Sequence, residues 1–228
     1  MIHDNLNHIR ATMEQAALRA GRDINTIQLV AVSKLVEVST MQEAHRCGQK
    51  IFGENYLQEA AEKIPQMGEA VRWHFIGHLQ SNKARQAVAL FDVIETVDRL
   101  KIAMALDQQA KALGKELSVL VQVNIGREPQ KSGVLPEEAQ ALLRDIRQHT
   151  GLSVLGLMAM PPYSERAEDS RPYFKELVIL AKQLAAAALF RDNDHVELSM
   201  GMSTDYAVAI EEGATIIRVG TALFGERS

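Results

Sequence analysis

Lys34 ends the run QLVAVSK (28–34), whose residues 29–32 are all apolar. An ammonium after such a run is either a surface charge beyond a turn or an amine at the mouth of a pocket. In the second setting its chemistry is specific. A partly desolvated lysine spends more time as free amine and condenses reversibly with aldehydes. Two later stretches carry residue types suited to an anion. SMGMSTD (199–205) passes through Gly201, which permits close backbone approach, to Ser203, a hydroxyl beside the free amides of a helix start. RVGT (218–221) places Gly220 and Thr221 at the end of another apolar run. An ordinary turn and an ordinary glycine would read the same way at either place.

Whether these residues meet depends on the elements that carry them. Ile2, Leu6, Ile9, Met13, Ala16 and Ala20 recur at helical spacing and end at Gly21. Strand-like runs follow at 27–33, 50–55, 72–79, 91–97, 117–125, 152–160, 195–201 and 215–224. Most are continuously apolar, as strands covered on both faces are. Helical segments separate them at 39–48, 56–64, 81–90, 99–114, 136–149, 171–189 and 204–213. Strands alternating with helices are the signature of βαβ units. The expected fold is therefore a single-domain (β/α)8 barrel over residues 1–228, with the first helix in the outer slot that a final helix usually takes. An open doubly wound sheet is the alternative, but no strand is followed by a Gly-x-Gly-x-x-Gly turn.

Composition narrows the function. With 25 basic and 29 acidic residues and no long run of either sign, no nucleic-acid or polybasic membrane surface is expected. Cys47 is the only cysteine, which rules out an intrachain disulfide and argues against a thiolate metal cluster. The start, MIHDNLNHIR, lacks the layout of a secretion signal, and the greasy stretch LAAAALF (184–190) is too short to span a bilayer. A cytoplasmic location is the expectation.

In a barrel the functional face is built from the C-terminal strand ends. Read in order, these ends are Lys34, Asn55, His78, Asp98, Asn124, Met160, Ser199 to Ser203, and Gly220-Thr221. Barrels often hold a phosphate between the loops after strands seven and eight. A phosphate grip beside an imine-forming lysine suggests a phosphorylated aldehyde, and pyridoxal 5′-phosphate is the commonest such cofactor. Arg218 alternates with Val219 and is placed to reach the ring. An arginine beside the pyridine nitrogen gives up no proton, which leaves that nitrogen unprotonated and the ring a weaker electron sink.

The ordered set AVSK (31–34), FGENY (52–56), WHFIG with LQSNK (73–83), KSG (131–133), GLMAM (156–160), LSMGMS (198–203) and RVGTALFG (218–225) resembles the pyridoxal phosphate homeostasis protein family over essentially the whole chain. More distantly it resembles the barrel domain of alanine racemases. The resemblance implies a (β/α)8 barrel with the cofactor as a Schiff base on Lys34 and Arg218 facing the pyridine nitrogen. It also implies that Ser203, Gly220 and Thr221 hold the phosphate, that Ser199, Gly201 and Met202 belong to the same motif, and that Asn55 lines the pocket. It implies a protein that binds the cofactor and hands it on to apoenzymes, without catalytic residues or robust turnover. Two departures stand out. The family commonly continues with a second lysine and a proline where this chain has Leu35, Val36 and Glu37, and it usually has proline in place of His78.

Two enzyme readings compete. An amino-acid racemase needs a second proton-transfer group, and Tyr56, Tyr163, Tyr173 and Tyr206 are not obvious candidates. A cofactor-free aldolase would form its imine with substrate instead. Met158, Met160, Met200 and Met202 read as core. His74 and His78, four apart on an expected strand, do not read as a metal pair. Cys47 reads as an unreactive helix residue, Lys131 as a solvated charge, and Glu211-Glu212 as facing water. A monomer is the expectation for such a barrel, with a weak dimer as the alternative.

Overall fold

The computed structural model describes residues 1–226; the last two residues of the expected 1–228 domain lie outside the described residues. Among the described residues, eight parallel strands close into a barrel in sequence order. They are β1 (Gln28–Val32), β2 (Ile51–Glu54), β3 (Arg72–Phe75), β4 (Val93–Val97), β5 (Ser118–Val123), β6 (Ser153–Ala159), β7 (Glu197–Ser199) and β8 (Ile216–Val219). β8 pairs back onto β1 from Gln28↔Ile216 to Ala31↔Val219, which brings the end of β8 beside the β1 tip that carries Lys34. The barrel expected from the sequence is the one observed, and the open sheet is excluded by this last pairing.

Helices α1 (Ile2–Arg19), α2 (Val38–Arg46), α3 (Leu57–Met67), α4 (Ala84–Leu90), α5 (Leu100–Leu113), α6 (Ala139–His149), α7 (Arg171–Ala186), α8 (Tyr206–Glu212) and α9 (Thr221–Phe224) surround the strands. Their apolar stripes bury against the outer faces of the strands, and this layer forms the main core. A second, small cluster of Val30, Leu120, Met158 and Ile216 fills the barrel interior. Helix α1 buries Ile2, Leu6, Ile9, Met13, Ala16 and Ala17 and packs against α8, α9 and α2, in the slot expected for it.

The element ends differ from expectation for physical reasons. β8 stops at Val219, and 221–224 form the turn of helix α9, because Leu223 is buried under α1 and its carbonyl accepts from Asn5 Nδ2 at 2.9 Å. β3 stops at Phe75: the chain then crosses the tip of β2 so closely that a Cβ on Gly77 would sit 2.0 Å from the Asn55 carbonyl oxygen. His78 is therefore on a loop. Helix α7 ends at Ala186, where Ala188 at φ 56° turns Leu189 and Phe190 back into the core. Helix α3 continues past Pro65 to bury Met67. No helix among the described residues is long and apolar enough to cross a membrane.

Candidate functional site

A cavity of about 270 Å³ opens at the C-terminal tips of β1, β7 and β8. Lys34, Asn55, Met202, Ser203, Arg218, Gly220 and Thr221 all line it, although they come from four separate strand ends. Ser199 and Gly201 do not line it. Larger hollows beside α5 (about 680 Å³) and around Arg147 and Arg191 (about 340 Å³) lie away from these tips.

One wall is built from the loops after β7 and β8. Gly201 has φ +92°, and a Cβ there would lie 2.5 Å from Ala209 Cβ and 3.0 Å from Tyr206 Cα. Only glycine meets both the left-handed backbone and the contact with α8. The Met202 N–H donates to Asp205 Oδ1 at 2.7 Å, and Ser203 Oγ accepts from the N–H groups of Gly220 and Ala222 at 3.3 Å each. Ser203 thus joins the two loops, with a hydroxyl and backbone amides gathered at one end of the cavity.

The floor is Arg218, 3% exposed. Its Nη1 donates to Ser199 Oγ at 2.6 Å and its Nη2 to the Ala159 carbonyl at 3.0 Å. Ser199 Oγ in turn donates to Glu95 Oε2, whose other oxygen lies 2.6 Å from His74 Nδ1. All four side chains are buried. Ser199 therefore serves the site from below, by fixing the guanidinium. Burial alone would raise the Glu95 carboxyl, but the His74 hydrogen bond and charge, Arg218 and Ser199 outweigh it and hold Glu95 below the usual range. Burial pulls the Arg218 guanidinium down, opposed by Glu95 and Asp205.

The remaining wall carries Lys34, half-buried, whose amine makes no hydrogen bond or ion pair with any described residue. Asn55, whose Oδ1 is buried without a partner, lines the same cavity. A free amine on the wall of a cavity is a polar group in want of a ligand.

Several wall residues escaped the sequence reading. Val32, Ile76 and Thr204 had no signal beyond lying at strand ends. Tyr163, set aside as a candidate, does line the cavity from the loop after β6. The methionines divide: Met158 and Met200 are fully buried core, whereas Met160 and Met202 line the cavity. Other expectations are corrected. Lys131 is not a free surface charge; its Nζ donates to the Pro161 carbonyl at 2.9 Å and pairs with Glu128. Glu211 and Glu212 do not face water freely; both bind Arg171, at 2.8 and 2.5 Å, and Glu211 also binds Arg19 at 2.7 Å. Asn124 fastens its own loop through Glu128, and Asp98 pairs with Arg99. His78 is exposed, with Nδ1 3.2 Å from Ser132 Oγ, and lines a neighbouring hollow rather than the Lys34 cavity. Cys47 is half-buried at the end of α2. No cluster of metal-ligating side chains occurs among the described residues.

Residues 4–228 match the family model described as the alanine racemase N-terminal domain. A Vibrio cholerae protein named pyridoxal phosphate homeostasis protein is 42% identical over 231 residues, covering 99% of this chain and 96% of that one. The chain belongs to the pyridoxal phosphate homeostasis protein family. Among solved structures, PipY of Synechococcus elongatus PCC7942 with PLP bound superposes with a TM-score of 0.84 at 37% identity, covering 99% of this chain and all of that one. An alanine racemase from Clostridium difficile superposes with a TM-score of 0.72 at 16% identity and extends well beyond this chain, which covers 56% of it. That likeness concerns the barrel alone. Membership of the family accounts for a (β/α)8 barrel with its polar groups concentrated at one end.

Proposed function

We propose that this chain binds pyridoxal 5′-phosphate in the cavity at the tips of β1, β7 and β8 and acts in intracellular cofactor homeostasis, holding the aldehyde and handing it to apoenzymes without sustained turnover of its own. The observation that carries the reading is the convergence of an unpaired lysine amine and a buried arginine on one small cavity beside the Ser203 junction. The residues present fit the group. An aldehyde needs an amine, a phosphate needs donors without an opposing carboxylate, and a pyridine nitrogen needs a fixed donor. Lys34, the Ser203–Thr221 loops and Arg218 supply these in turn. When bound, the cofactor would supply an aldehyde carbon, the electrophile with which the Lys34 amine can condense.

Each side chain then has a defined task. Ser203, Thr221 and the amides around Gly220 bind the phosphate. Ser199 and Glu95 keep Arg218 aimed and charged, so it would offer the pyridine nitrogen a donor that gives up no proton. Asn55 lines the same pocket. The relatives' names support the homeostasis role, and PipY, whose structure was solved with PLP bound, supports cofactor binding. The visible absorption spectrum tests the reading. Wild type mixed with pyridoxal phosphate should turn yellow and retain the cofactor covalently after borohydride, and Lys34→Ala should retain none. An equal covalent yield in the mutant would refute the assignment.

Tyr163 at the cavity wall supports a second reading, a racemase-like enzyme in which a phenol serves as the second proton carrier. Sustained formation of D-alanine from L-alanine, abolished by Tyr163→Phe, would favour it.

A further inference from the structure

The amine of Lys34 is only as well placed as the backbone that bears it, and that backbone is gripped on both sides. On one side, Lys63 Nζ donates to the Ser33 carbonyl at 2.7 Å, and Ser33 Oγ donates to Glu54 Oε1 at 2.7 Å. On the other, the Glu59 carboxylate accepts the Leu35 N–H at 3.0 and 3.1 Å. Lys63 ties the two sides together, 3.1 Å from Glu54 and 3.2 Å from Glu59. We infer that Glu54, Glu59 and Lys63 are positioning residues: a hydrogen-bonded clamp on Ser33 and Leu35 that sets the rate at which Lys34 captures and releases an aldehyde. This rests on the reading of Lys34 as the capturing amine.

Three observations separate a clamp from ordinary packing. Leu35 adopts φ 58°, a left-handed conformation uncommon for leucine, yet the residue is 66% exposed. No packing of that side chain demands the strained backbone; the Glu59 hydrogen bond holds it. Such strain persists where the surroundings over-determine it, and it concentrates at functional sites. Second, Glu54 is 0% and Lys63 7% exposed. A buried ion pair is commonly no more stabilising than apolar residues of similar volume, so stability alone gives little reason for these charges. Third, the cluster lies between β2 and α3, and neither charged residue of the buried pair lines the cavity. Its route to the chemistry is through the Ser33–Leu35 backbone. A displacement of about 1 Å at a reacting group can cost about a hundredfold in rate.

The test compares wild type, Glu59→Ala, Glu59→Gln and Lys63→Met by three measurements. The first is affinity for pyridoxine 5′-phosphate, which carries an alcohol in place of the aldehyde and cannot form the imine. The second is the stopped-flow rate of imine absorbance with pyridoxal 5′-phosphate. The third is hydrogen exchange of the Leu35 amide in the cofactor-free protein. Glu59→Ala and Lys63→Met should slow imine formation about ten- to a hundredfold while analogue affinity stays within about twofold. The Leu35 amide should exchange faster in Glu59→Ala. Glu59→Gln keeps an oxygen acceptor and should recover most of the rate. If Lys63→Met does not fold, the two substitutions at Glu59, on the partly exposed side of the cluster, decide alone. Unchanged rates in Glu59→Ala overturn the inference, as does a parallel loss of rate and analogue affinity. A wild type with no reducible adduct at Lys34 would overturn the binding proposal itself; a normal wild-type adduct with unaltered variants overturns only the clamp.

Discussion

Glu54 should make the folded protein lose stability as pH rises through neutrality, and Glu54→Gln should abolish that loss. Burial pushes the Glu54 carboxyl up to about 7 from an ordinary 4.5, and Ser33 and Lys63 only partly offset it. Between those values the folded protein keeps a proton that the unfolded chain has released. The folded state then binds more protons, so stability falls with rising pH across that window. At about 1.4 kcal/mol per pH unit, the interval from 4.5 to about 7 corresponds to about 3 kcal/mol. Glutamine keeps the volume and an oxygen for Ser33 but has no proton to lose. Urea denaturation of both proteins, followed by circular dichroism at several pH values between 4.5 and 8, reads the effect. The stability of wild type relative to Glu54→Gln should fall by about 3 kcal/mol across that range. Parallel curves would mean that Glu54 is ionised normally in the fold, and the account of a carboxyl starved of solvent would be wrong.

Other outcomes follow from the same geometry. Gly201→Ala forces a side chain into a left-handed backbone 2.5 Å from Ala209 Cβ, and should cost about 2–4 kcal/mol in urea denaturation. Because Gly201 leads into Ser203, the same variant should also bind pyridoxine 5′-phosphate more weakly; full affinity would separate that loop from phosphate binding. Glu95→Gln leaves Arg218 and His74 without their buried carboxylate and should destabilise by about 3 kcal/mol at neutral pH. Since Glu95 is held below the ordinary carboxylate range, its contribution is present at neutral pH and lost as pH falls, so the difference between wild type and Glu95→Gln should shrink in acid. A difference that grows in acid would refute the sign.

The barrel was legible because its strands are covered on both faces. Runs such as LVAV (29–32) and VLVQV (119–123) announce burial without reference to any partner, and the helices between them are long enough for their period to show. Short segments were less legible. TALF (221–224) is equally apolar as strand or helix, and its packing under α1 decided the matter. At the site, seven of the nine expected cofactor residues face the cavity because strand ends, glycines and hydroxyls carry local signals.

What the sequence determined by itself was therefore the alternation of elements and the chemical type at each strand tip, since both are local properties of the chain. The Glu54–Glu59–Lys63 cluster and the His74–Glu95–Ser199–Arg218 chain carried no such signal. Each joins residues on different elements, up to 144 positions apart from His74 to Arg218, and a charged residue at helical or strand spacing looks the same whether it meets water or a buried partner. Closure of the barrel brought His74, Glu95, Ser199 and Arg218 together from β3, β4, β7 and β8, while the packing of α3 on β2 joined Lys63 to Glu54; each excludes water that would otherwise have solvated those groups.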